Sequence, residues 1–259
     1  MLDEAVVSAV CAKCSTLTPD EARTFLEKGW VLIKRAFPRE LAEEFVAESW
    51  RELIDDYGIM PDDPSTWEQH PYVRTGDQPA VHIMASRGDK VAQEQLKASR
   101  PPKLCDVAPR ALGAISDAVA GNIEDVATME LPRSLAVNLS TKNPDGSREQ
   151  QSPRLDWPGW HKDGWQYRHF LDSPEQGLLL CYFYDDVLPN SGGTQIALDS
   201  IEIAARFFAE HPEGVHPDLA QGAVLNPFLQ QVEGEGRFEE LTGEAGDLAI
   251  IHPCECRDL

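Results

Sequence analysis

Trp160-His161-Lys162-Asp163-Gly164-Trp165 and the apolar run behind it, Gly177-Leu-Leu-Leu-Cys-Tyr-Phe-Tyr184, decide how this chain is read. In an extended strand successive side chains point to opposite faces, so residues two apart share a face. His161 and Asp163 are therefore expected to project together, with Lys162 turned away. A neutral imidazole beside a carboxylate supplies two of the three donors in the 2-His-1-carboxylate set that holds non-haem Fe(II) and leaves positions open. A hydrogen-bonded His-Asp pair at a strand end fits the same triplet. The neighbouring elements have to decide between the two.

Upstream, Ser134-Leu-Ala-Val-Asn-Leu-Ser-Thr141 alternates strictly, with Leu135, Val137 and Leu139 on one face and Ala136, Asn138 and Ser140 on the other. That is the pattern of a half-buried strand, and its small polar face suits a wet cavity. Downstream, Pro189-Asn-Ser-Gly-Gly193 turns the Gly177–Tyr184 strand back into Thr194-Gln-Ile-Ala-Leu198. Asp185 and Asp186 end the first of these strands. Adjacent strand residues face opposite ways, so the two acids cannot flank one glycosidic bond and read as a solvated strand end. A short helix from Ile201 to Glu210 follows, then a strand and turn over Phe238–Gly246 and a last apolar strand, Asp247-Leu-Ala-Ile-Ile-His252.

The first half is richer in helix. Thr18-Pro-Asp-Glu21 is a helix start with a capping box, and Gly29 is placed to end that helix. Trp30–Phe37 reads as a strand stopped by Pro38. Arg39–Tyr57 reads as an amphipathic helix with Leu41, Phe45, Trp50, Leu53 and Ile54 near one stripe. Prolines at 61, 64, 71, 79, 101 and 102 break residues 58–102 into an irregular lid or loop segment. A further helix is expected over 107–119, with Leu112, Ile115 and Val119 facing inward. Residues 1–17 form an N-terminal arm. Helices first and short strands with Gly/Pro turns after them indicate an α+β fold with a β-sandwich or barrel core.

The chain has 259 residues, with 23 Lys plus Arg against 44 Asp plus Glu and a formal net charge of −21. Such a surface repels phosphate backbones and anionic lipid, so no nucleic-acid or membrane partner is expected. The same field disfavours a free polyanionic substrate. No apolar run approaches membrane-spanning length, and the N-terminus lacks the features of a signal peptide, which points to a cytoplasmic location. Six cysteines in such a chain read as reduced thiols. Cys11-x-x-Cys14 and Cys254-x-Cys256 have the composition of a four-sulfur zinc site tying the two ends together.

In order, an H-x-D strand, an apolar strand, "NSGGTQIALDS", a helix and "GEAGDLAIIHP" resemble the phytanoyl-CoA dioxygenase family of Fe(II)- and 2-oxoglutarate-dependent oxygenases. The opening "FLEKGWVLIKRAF" looks like the family's first helix and strand. The resemblance implies a single phytanoyl-CoA dioxygenase-like domain over 1–259, whose core is a double-stranded β-helix: a cupin-like jelly roll of two facing sheets with flanking helices. It implies His161 and Asp163 as iron ligands, with Phe183 and Asn138 beside the cosubstrate 2-oxoglutarate. Trp157, Trp160, Trp165, Tyr167 and His169 are candidates for the pocket mouth. The implied partners are O2 and a small organic or lipid-like molecule, which would be hydroxylated.

One departure from the family pattern is large. The family continues past "HP" to a second histidine, the third iron ligand, and then to an arginine that clamps the far carboxylate of 2-oxoglutarate. Here the segment reads His252-Pro-Cys-Glu-Cys-Arg257-Asp-Leu259. Arg257 stands at the ligand position, and a guanidinium has no lone pair to give a cation. His252 precedes that position by an odd number of residues and falls on the other face of a regular strand. The last strand of the jelly roll is expected to be missing or shortened. Two accounts stand side by side: a truncated or alternatively ended oxygenase, or a catalytically incomplete jelly-roll binding protein.

Overall fold

The Thr18 hydroxyl accepts from the Glu21 main-chain N–H while the Glu21 carboxylate accepts from Thr18 N–H, closing the expected box at the head of α2 (Pro19–Lys28). Gly29, at φ 80°, ends the helix and turns the chain into β1 (Trp30–Ile33). The computed structural model describes residues 3–66, 73–74, 80–85, 102–119, 126–131, 135–140, 161–164, 167–173, 177–191, 193–198, 200–216, 232, 237–254 and 256–258. The other helices are α1 (Glu4–Cys11), α3 (Arg39–Tyr57), α4 (Leu104–Val107), α5 (Pro109–Ala118) and α6 (Ser200–Glu210). The remaining strands are β2 (Val73–Arg74), β3 (Ala80–Ala85), β4 (Leu135–Ser140), β5 (His161–Lys162), β6 (Leu179–Tyr182), β7 (Gln195–Ala197), β8 (Phe238–Glu240), β9 (Leu248–Ile251) and β10 (Cys256–Asp258).

Among the described residues every strand pairing is antiparallel, in three sheets ordered β1-β9-β6, β5-β10-β7-β8 and β2-β3-β4. Between β5 and β10 the chain moves back and forth between the first two sheets. Alternation along the first sheet sorts its side chains into two layers. Val31, Ile33, Leu248 and Ile250 pack with Ala22 of α2, Ala42 and Phe45 of α3, and Leu112 and Ile115 of α5. Their neighbours Leu32, Leu179, Ala249 and Ile251 share a second buried cluster with Ile196 of β7, so this face meets the second sheet. On the far side of that sheet, Ala197 packs with Ile203, Phe207 and Phe208 of α6. The result is a layered α+β architecture: helices, sheet, sheet, helix.

Several expectations change in detail. The first strand stops at Ile33 because Asp247 captures the next residues: its buried carboxylate accepts from Lys34 Nζ at 2.8 Å, Arg35 N–H at 2.9 Å and Glu244 N–H at 2.9 Å. Arg35 takes φ 50° in that turn. Val119 is 45% exposed rather than inward, since α5 ends one residue before it. Within 58–102, residues 73–74 and 80–85 are strands that pair with each other and, through β3, with β4. β4 lies far along the chain from β3, beyond the reach of a local pattern. Among the described residues the cysteines at the two ends of the chain do not come together. Cys11 and Cys14 pack on the cluster beneath the first sheet, whereas Cys254 packs on the α6 cluster. No helix among the described residues is long and apolar enough to cross a membrane.

Candidate functional site

The second sheet sets the positions of the H-x-D stretch by register. Position 161 lies opposite 257, and 257 lies opposite 196. Paired positions in a ladder share a face. This row therefore runs along the face where Ile196 meets the first sheet. The neighbouring row, 162–256–197, lies on the α6 side. Lys162 obeys that placement: it is 2% exposed, and its Nζ sits 5.7 Å from the Phe208 ring centre.

Asp163 follows directly after β5, half-buried, and lines a cavity of about 150 Å³ together with Tyr167, His252, Leu178, Leu179, Ile251 and Pro253. At roughly 30 Å³ per water the cavity has room for several waters or a small organic group. Its wall is apolar on the side of β6 and β9 and polar around Asp163. Gly164, the next residue, has φ 107°. A Cβ there would lie 2.5 Å from the Tyr167 ring and 2.7 Å from His169 Cε1, so a side chain is excluded by contact as well as by backbone conformation.

His252 lies in the same wall. Its main-chain N–H donates to Gly29 O at 2.7 Å, which fixes the end of β9. Its Nδ1 accepts from Cys254 N–H at 3.1 Å. Burial first, and the Lys162 charge second, hold its pKa below the ordinary imidazole value. The ring is thus neutral at physiological pH, with its lone pair engaged at Nδ1 and its proton on Nε2. That makes His252 a hydrogen-bond donor and leaves no free nitrogen lone pair for a metal. Among the described residues there is no group of three or more His, Cys, Asp or Glu placed to hold a metal ion.

The remaining sequence candidates are spread through the fold. Asn138 stands opposite His82 in the β3–β4 pair of the third sheet. Phe183 is buried between the sheets with Ile196, Leu241, Ala249 and Ile251, and is not among the residues lining the cavity. Tyr167 reaches the cavity, while Trp157, Trp160 and Trp165 lie outside the described residues. His169, expected at the pocket mouth, instead sits fully buried behind Tyr167, with the two ring centres 5.0 Å apart. Lys162 Nζ contacts His169 Nδ1 at 3.1 Å and the carbonyl of Asp163 at 3.3 Å. Sequence reasoning missed this pair. Period two turned Lys162 away from the cavity, but lysine is ordinarily a solvent residue, and nothing local signals its burial.

No family model matches the chain, and no curated protein does. Solved structures similar to it include the following two. One is the non-heme alpha ketoglutarate dependent carbocyclase SnoK from nogalamycin biosynthesis, 14% identical, with a TM-score of 0.44 and coverage of 93% of this chain and 76% of that one. The other is the non-heme alpha ketoglutarate dependent epimerase SnoN from the same biosynthesis, 15% identical, with a TM-score of 0.45 and coverage of 98% and 76%. At that distance neither likeness settles fold or activity here.

Proposed function

We propose that this chain is an Fe(II)- and 2-oxoglutarate-dependent dioxygenase-type protein on a jelly-roll scaffold, acting on a small organic or lipid-like substrate. The supporting observation is the register of β5, β10 and β7. It sets position 161 on the row between the two sheets, and Asp163, one residue beyond the strand, lines the cavity at the sheet end. The names of the two similar structures agree with this reading without carrying it.

The donor set fits a divalent iron in part, with His161 and Asp163 as its two protein ligands and the remaining positions open to cosubstrate and water. When bound, iron with 2-oxoglutarate and O2 supplies oxidative decarboxylation to succinate and hydroxylation of an aliphatic C–H bond. The chain itself does the placing. The Asp163 carboxylate, which lines the cavity, would contribute the negative charge that holds the cation. His252 Nε2–H is a donor suited to a carboxylate or carbonyl oxygen in the cavity. Leu178, Leu179 and Ile251 keep the opposite wall apolar and shield that hydrogen bond from water.

A second reading, an iron-incompetent binding protein on the same scaffold, is favoured by one specific observation. Arg257, which cannot ligate a cation, occupies the position directly across from His161. Calorimetric titration with Fe(II), followed by assay of 2-oxoglutarate conversion to succinate, separates the two. Binding that disappears in His161→Ala, with succinate formed by the parent chain, is the expected result. Absence of metal binding by the parent chain would leave only the second reading.

A further inference from the structure

We propose that Lys162 is a positioning residue: its amino group, buried on the far side of β5, ties the Asp163 main chain to His169 and so fixes where the Asp163 carboxylate enters the cavity. This rests on the reading of His161 and Asp163 as the metal-holding pair. Lys162 reaches the Asp163 carbonyl at 3.3 Å and His169 Nδ1 at 3.1 Å, with only 2% of its surface exposed. His169 is itself immobilised. Its main chain exchanges two hydrogen bonds of 2.8 Å with Val215, and its ring stacks on Phe208 with centres 5.8 Å apart and planes within 17°.

The need for such an anchor follows from topology. β5 is a two-residue strand at the edge of its sheet, and the chain leaves it through Gly164 at φ 107°. Among the described residues its ladder partner is β10, and a short segment at the margin of a sheet opens easily. Burying a lysine is costly, and an apolar side chain of similar length packs such a site at least as well for stability. A buried lysine at this point is accounted for by what it holds. A neutral His169 accepts from the amino group at Nδ1 and carries its proton on Nε2, a donor–acceptor polarity that a hydrocarbon cannot supply.

Amide hydrogen exchange at 161–164 in the metal-free protein tests the anchor, with 248–251 in β9 as internal reference. In Lys162→Met and in His169→Leu, exchange at 161–164 is expected to rise about tenfold or more with β9 unchanged. His169→Gln, which keeps an acceptor for the amino group, is expected to restore slow exchange. Co(II) affinity, read by calorimetry, should fall about 10- to 100-fold in the first two variants. Unchanged exchange at 161–164 overturns the proposal. So does equal acceleration at β9, or loss of folding in both variants, since either makes the pair a general core contact. Faster exchange at 161–164 in those two variants, together with a parent chain that binds no Co(II), keeps the anchor and overturns the metal reading instead.

Discussion

β9 and β5 both end at the candidate cavity, yet they are built on opposite principles. β9 is hydrogen-bonded on both sides, by β1 and β6, and all four of its residues are buried and apolar. Leu248 and Ile250 pack towards the helices, Ala249 and Ile251 towards the second sheet. β5 is two residues long, lies at a sheet edge, and carries a buried lysine on one row and the position opposite Arg257 on the other. The first strand is held by the hydrophobic effect, which is non-directional and tolerant of small shifts. The second depends on a few polar contacts with directional demands. β9 carries no polar side chain, whereas β5, on the proposed reading, needs several.

Damage to the two strands should therefore differ in kind. Ile250→Ala, in the middle of β9, is expected to cost about 2–5 kcal/mol of folding stability in urea denaturation, through lost burial and the cavity left behind. A loss below about 1 kcal/mol would mean that the layers around β9 collapse freely and that the contrast with β5 is false.

His169 gives the next largest effect. Burial, then the Lys162 charge, lower its folded pKa to about 4 from an ordinary 6.5. The unfolded chain therefore binds a proton that the folded chain refuses between those values. The stability associated with neutral His169 is complete above pH 6.5 and is lost as pH falls towards 4, by up to about 3 kcal/mol. Urea titrations across that range should show the slope in the parent chain and a smaller one in His169→Leu. Equal slopes would remove His169 from the account.

Asp163→Ala should change stability by less than about 1 kcal/mol, because the side chain faces a cavity rather than a packed core. The same substitution should reduce Co(II) affinity by more than the roughly 10–100-fold expected for a supporting residue. If instead it destabilises the fold as much as Ile250→Ala, then Asp163 is structural and the contrast between the strands fails.

The smallest effect is at the surface. Asp186 accepts two hydrogen bonds from Arg39, at 3.0 and 3.1 Å, and one from Ala245 N–H at 2.9 Å. The Arg39 guanidinium, then the Ala245 N–H, hold its pKa below the usual carboxylate value. The pair's contribution is present at neutral pH and is lost as pH falls through the lowered pKa. Arg39→Met should lower stability only slightly at pH 7 in low salt, and less in high salt. No salt dependence at all would show the pair to be neutral to stability.

Much of this architecture was legible without coordinates. The capping box at Thr18, the stop at Gly29, the span Arg39–Tyr57 and the strands at 135–140, 179–182, 195–197 and 248–251 follow from patterns a few residues wide, because capping and alternation are local physics. What local patterns could not reach depends on partners distant in the chain. β3 pairs with β4 across the poorly patterned segment 58–102, Asp247 cuts β1 short from more than two hundred residues away, and Cys11 and Cys254 end on opposite sides of the sandwich.

The site divides in the same way. The expectation that His161 and Asp163 share a side, with Lys162 turned away, follows from backbone alternation and needs the sequence alone. That Arg257 stands across from His161, that the Asp163 and His252 side chains face one cavity, and that Lys162 is buried against His169 were decided only by tertiary structure. Sheet register and the desolvation of a charged group are both set by the surfaces that close over a strand, and those surfaces come from elsewhere in the chain.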